Sequence, residues 1–123
     1  MTGSLTTLGG LQILDCPAEG PPIRYAQAVD LIGDAMGAEA DWVMIPAARL
    51  GDDFFDLRTG VAGEVVQKFV TYQLRLAIVG DISTHVARSD ALRDFVRESN
   101  RGVHVWFVGS LDELETRLAQ AAA

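Results

Sequence analysis

Two alternating hydrophobic periods constrain this chain more than any other feature. The stretches 42–45, 74–79 and 103–108 are short, mostly apolar and partly β-branched, and they end at Pro46, Gly80 and Gly109. Between them lie longer segments whose apolar residues recur every three to four positions. A short apolar run bounded by proline or glycine fits a strand buried on both faces, whereas the longer period makes the apolar face of a helix. Strands alternating with helices imply right-handed crossovers and parallel neighbours.

The helices follow from this spacing. On 24–36, Tyr25, Val29, Ile32 and Met36 form the expected buried stripe, widened by Ala28, Leu31 and Ala35. On 59–72 the stripe is Val61, Val65, Phe69 and Tyr72, with Glu64 and Lys68 on the polar side in the favourable acid-before-base order. On 87–100, Leu92, Phe95 and Val96 face one way, while Asp90, Arg93, Asp94, Arg97, Glu98 and Arg101 face the other and read as a solvated, self-neutralising row. Ser110 and Glu113 have the spacing of a capping box that opens a final helix.

At the front, Leu5-Thr6-Thr7-Leu8 and Leu11-Gln12-Ile13-Leu14 flank Gly9-Gly10, the pattern of a tight hairpin. The loop 15–22 follows, with three of the four prolines. The expected fold is therefore α/β, in the order β-β-α-β-α-β-α-β-α. Its mixed sheet has an N-terminal antiparallel hairpin plus parallel strands, with helices packed on it. One domain spans 1–123, with the hairpin at about 5–14 and the α/β body at about 23–122.

Composition removes several classes of function. A chain of 123 residues has room for one domain, and 49% hydrophobic residues exclude a disordered one. Ten basic against seventeen acidic residues, a net charge of −7, argue against nucleic acid or an anionic membrane as partner. The single cysteine, Cys16, excludes an internal disulfide, and Arg24 is the only cation the sequence offers to lower its pKa. His85 and His104 are far apart and form no metal-binding pair, and His104 reads as a structural residue within a strand. No metal and no cofactor are expected. The stretch Gly60-Val61-Ala62-Gly63 is neither a dinucleotide fingerprint nor a phosphate loop, and reads instead as a close approach of helix to sheet. The opening residues lack the basic and apolar regions of a secretory signal, so a cytoplasmic protein is expected.

Ligands of open α/β sheets gather at the carboxyl ends of the parallel strands. Three loops meet there by topology, at 46–50, 80–85 and 109–110. The middle loop is the richest in polar groups and supplies the catalytic candidates Asp81, Ser83 and His85, with Glu64 as a candidate base. The local alternative is that Asp81 and Ser83 hydrogen-bond turn amides while Ser89 caps the next helix. Thr59, at the head of a helix before Gly60, is a second candidate, because added negative charge is favoured there.

The segments 53–69, 76–83 and 92–102, beginning Asp53-Phe54-Phe55-Asp56-Leu57-Arg58-Thr59-Gly60, resemble an uncharacterised bacterial family, the domain of unknown function numbered 4180. That family implies no established activity. The order of elements is also similar to that of STAS domains, in whose signalling members a phosphorylatable Ser or Thr precedes a glycine at a helix start. Thr59-Gly60 resembles that position, although Leu57 stands where the STAS pattern has an aspartate.

These readings converge on a small non-enzymatic regulatory or interaction module of STAS-like architecture. It would bind a protein or small ligand through Thr59, Gly60, Asp81 and Ser83. Two alternatives remain: a small enzyme built on Asp81, Ser83 and His85, and a homo-oligomer marked by an exposed tryptophan among Trp42 and Trp106.

Overall fold

In the computed structural model, which describes residues 3–122, five strands form one sheet in the order β1-β2-β3-β4-β5. The strands are β1 (Ser4–Leu8), β2 (Leu11–Asp15), β3 (Trp42–Pro46), β4 (Arg75–Val79) and β5 (Val105–Val108). The hairpin pairs antiparallel, Ser4 opposite Asp15 and Leu8 opposite Leu11. Every later pairing is parallel, with Ile13 beside Trp42, Met44 beside Ala77 and Ala77 beside Trp106. The α/β class and the mixed sheet are as the periods require.

Alternation along the strands divides the core into two layers. Leu14, Val43, Ile45, Leu76, Ile78, Val105 and Phe107 belong to one buried cluster, together with helix residues Leu31, Ile32, Val65, Phe69 and Leu92. Ile13, Trp42, Met44, Ala77, Trp106 and Val108 belong to the other, which, among the described residues, Leu114 and Leu118 of the last helix join from the helical side. Helices α1 (Tyr25–Gly37), α2 (Gly51–Phe55), α3 (Val61–Thr71), α4 (Ser83–Arg88) and α5 (Asp90–Arg101) therefore lie on one face. Among the described residues, helix α6 (Leu111–Ala122) is the one that covers the other. Arg117 anchors α6 there: its guanidinium lies 4.0 Å from the Trp106 ring and donates to the Asn100 carbonyl oxygen at 2.8 Å.

Four features depart from the sequence expectation. The stripe of α1 is displaced, with Ala28, Leu31, Ile32 and Ala35 buried at i, i+3, i+4 and i+7 while Tyr25, Val29 and Met36 are exposed. The helix expected over 87–100 is two helices, because Ser89 is extended and its hydroxyl accepts the Leu92 amide, which starts α5 afresh. Strand β5 begins only at Val105, leaving Val103 and His104 exposed ahead of it. Gly60 and Gly63 make no close approach, since a Cβ at either would meet open space; Gly60 serves instead as a left-handed residue at φ +80. Trp42 and Trp106 are both buried, 4.7 Å apart between ring centroids.

Candidate functional site

The direction in which each strand exits the sheet decides where a crevice can open. The connections after β2, β3 and β4 lead to α1, α2 and α4 on the five-helix face, whereas the connection after β5 leads to α6 on the opposite face. Among the described residues, β4 and β5 are thus the adjacent parallel strands whose loops diverge, the arrangement that leaves a crevice outside their carboxyl ends. A hollow of about 330 Å³ lies there. Gly80, Asp81 and Ser83 form one wall, Gly109 and Glu113 the other, and Val86, Val96 and Phe107 contribute apolar lining.

Its polar groups are set by local geometry. The Asp81 carboxylate accepts the Ser83 amide at 2.9 Å, and the Ser83 hydroxyl and amide together hold Asp81 below the usual carboxylate range. Across the crevice, Ser110 Oγ accepts the Glu113 amide at 3.2 Å while Glu113 Oε1 accepts the Gly109 amide at 3.0 Å. The capping box forms, but its carboxylate reaches one residue further back than Ser110. No arginine, lysine or histidine lines the crevice among the described residues.

The other candidates stand elsewhere. His85 lies flat on the buried Phe55 ring, with 4.2 Å between centroids and 15° between planes, in a separate cleft of about 530 Å³ with Asp52, Asp56, Arg58 and Arg88. Asp56 in that cleft is held below its usual range by the Arg58 guanidinium, which donates to both carboxylate oxygens at 3.0 Å. Thr59 and Glu64 line neither hollow. The structure thus brings Asp81 and Ser83 together and separates them from His85, Glu64 and Thr59.

The Thr59 hydroxyl is engaged within its own turn. Its oxygen lies 2.6 Å and 2.8 Å from the Asp53 and Asp56 carbonyl oxygens, which share its one proton, and it accepts the Val61 amide at 3.2 Å. Thr59→Ala is expected to lower stability by about 1 kcal/mol, as loss of a capping hydroxyl does, with Thr59→Ser close to wild type. Urea denaturation of both variants checks this, and equal midpoints would refute the role.

Sequence reasoning missed Arg49. Its guanidinium is buried beneath the proline loop, where Nε donates to the Pro21 carbonyl oxygen at 2.6 Å and Nη1 to that of Pro17 at 2.9 Å. Nη1 also reaches Cys16 Sγ at 3.4 Å, so Arg49 is the cation beside the thiol, while Arg24 pairs with Asp53. Burial nonetheless pushes the Cys16 thiol up, with Arg49 opposing and Asp15 adding to the shift. Nothing in the spacing of a polar connection marks such a residue as buried.

Among the described residues, no helix is long and apolar enough to cross a membrane, and no three His, Cys, Asp or Glu side chains group as metal ligands. The self-neutralising row on α5 is present, with Arg93 between Asp90 and Asp94 at 3.5 Å and 3.6 Å and Arg101 beside Glu98 at 3.6 Å. No curated protein and no solved structure matches the chain. The model of one family does match, over residues 8–118, and the chain accordingly belongs to the family described as Domain of unknown function (DUF4180).

Proposed function

We propose that this protein is a small non-enzymatic binding module whose ligand enters the crevice between β4 and β5. The supporting observation is the pairing of a topological crevice with a lining of one sign. Two carboxylates, Asp81 and Glu113, line the crevice together with the apolar side chains of Val86, Val96 and Phe107, and among the described residues no cation does. Hydrogen bonds from Ser83 keep Asp81 ionised well below neutral pH. Such a lining selects a small organic cation, an ammonium group on an apolar body, because the carboxylates meet the charge and the apolar side chains take the hydrocarbon. A hydrolytic role for Asp81, Ser83 and His85 has weaker support, since no hydrogen bond joins His85 to either partner and its ring is stacked on Phe55.

The full chain titrated with n-hexylamine, hexanol and hexanoate tests this reading by amide chemical shifts. The amine is expected to move the amides of 80–83 and 109–113, the alcohol and the acid far less. Asp81→Asn keeps a side-chain acceptor for the Ser83 amide but removes the charge. It is expected to weaken amine binding about tenfold, the scale of a charge-assisted contact. His85→Ala should leave that binding unchanged. Hexanoate binding as well as the amine, or shifts confined to the Phe55–His85 cleft, would overturn the proposal.

A further inference from the structure

The apolar residues expected to be buried on α1 form a continuous outer surface with the end of α3. Tyr25, Val29, Met36 and Tyr72 are 49%, 39%, 54% and 47% exposed. Val29, Met36 and Tyr72 line a groove of about 160 Å³ together with Ile32, Gly33 and Lys68. Lys68 bridges the patch, 5.2 Å from the Tyr25 ring centroid and 5.4 Å from that of Tyr72, held between two aromatic faces. Outside that lining, the exposed acids Asp30 and Glu64 stand one position after Val29 and one turn before Lys68.

Gly33 is the telling residue. It sits inside a helix, where glycine is less favourable than almost any other residue, and a Cβ there would meet nothing within the monomer. No internal packing requires its small size. Its bare Cα leaves room for an external backbone to lie along α1.

We propose that the α1–α3 groove docks an amphipathic helix of another protein, its apolar face on Val29, Met36 and Tyr72 and its basic flanks against Asp30 and Glu64. Charge chooses this occupant over a second copy. Two such faces would oppose acidic rims on chains that each carry a net charge of −7, whereas lysines or arginines beside an apolar stripe complement the rim.

The probe is a synthetic helix of leucine and lysine in amphipathic order, measured against the full chain by fluorescence anisotropy and amide shifts. A scrambled peptide of the same composition and a leucine–glutamate helix serve as controls. The leucine–lysine helix is expected to bind and to shift α1 and α3, while the two controls bind at least tenfold more weakly. Gly33→Gln fills the groove with a better helix former. It should hold or raise the thermal midpoint and weaken the peptide at least tenfold, a combination that a purely structural glycine does not produce. Val29→Ser with Met36→Ser should weaken binding likewise with the circular dichroism unchanged. Equal binding by the scrambled peptide, or no loss in Gly33→Gln, would overturn the proposal. So would a dimer in sedimentation that Met36→Ser dissolves, since the face would then belong to a second copy.

Discussion

Arg49→Met is expected to lower the unfolding free energy by about 2–3 kcal/mol, the scale of losing hydrogen bonds to a charged group after the buried charge itself is relieved. The side chain is 8% exposed, and its guanidinium satisfies the carbonyl oxygens of Pro17 and Pro21. No carboxylate lies within 4.0 Å of it among the described residues, so carbonyl dipoles carry the compensation. The loop is built around that group: a Cβ at Gly20 would stand 2.6 Å from Arg49 Cζ. Methionine keeps the apolar stem but leaves both carbonyls without their donor. Lysine retains the charge, yet a single ammonium cannot span the fork that reaches Pro21, Pro17 and Cys16, so Arg49→Lys should fall between. Cys16 supplies an independent readout. Buried, and with its thiol pKa raised, it should alkylate slowly in the wild type. Arg49→Met removes the cation that opposes that shift, so the faster alkylation expected of the variant at the same pH reports a thiol exposed by an opened loop and not a more acidic one. A methionine variant within 0.5 kcal/mol of wild type, its thiol still protected, would show that the loop holds itself.

What the sequence reveals and what it conceals divide along physical lines. The strands were legible because Val43, Ile45, Leu76, Ile78 and Phe107 are buried by any arrangement that covers both faces of a sheet. The caps were legible because they are local: Ser89 on the Leu92 amide and Ser110 on that of Glu113 act within three residues. Helix α1 was legible as a helix but not in its orientation. Its apolar residues cover more of the circumference than the sheet can hide, and it buries Ala28 and Ala35 with Leu31 and Ile32 while Tyr25, Val29 and Met36 stay outside. The crevice was half legible. The loop containing Asp81 and Ser83 was identified, but the separation of His85 depends on α4 turning its ring onto Phe55. The opposite wall, Gly109 and Glu113, depends on α6 crossing to the far face, a choice that no local spacing encodes.

Two glycines should respond to alanine with opposite signs. Gly63 lies in α3 with open space where a Cβ would go, so Gly63→Ala is expected to stabilise by about 0.5–1 kcal/mol through helix propensity. Gly80 has φ +143, and a Cβ there would stand 2.9 Å from the Ala47 Cβ. Backbone strain and overpacking act together, and Gly80→Ala is expected to destabilise by roughly 2–4 kcal/mol. The site makes the effect more than local. Gly80 donates its amide to the Val108 carbonyl oxygen at 2.9 Å, tying the end of β4 to the end of β5 while its bare Cα rests against the turn after β3. It is also the first residue of the crevice wall, so displacing it should move Asp81 away from Gly109 and Glu113. In Gly80→Ala the urea midpoint and the n-hexylamine affinity should therefore fall together. In Gly63→Ala the midpoint should rise with the affinity unchanged. An alanine at position 80 that keeps the wild-type midpoint would mean that Ala47 yields to the added methyl, and that the crevice wall is not held from β3.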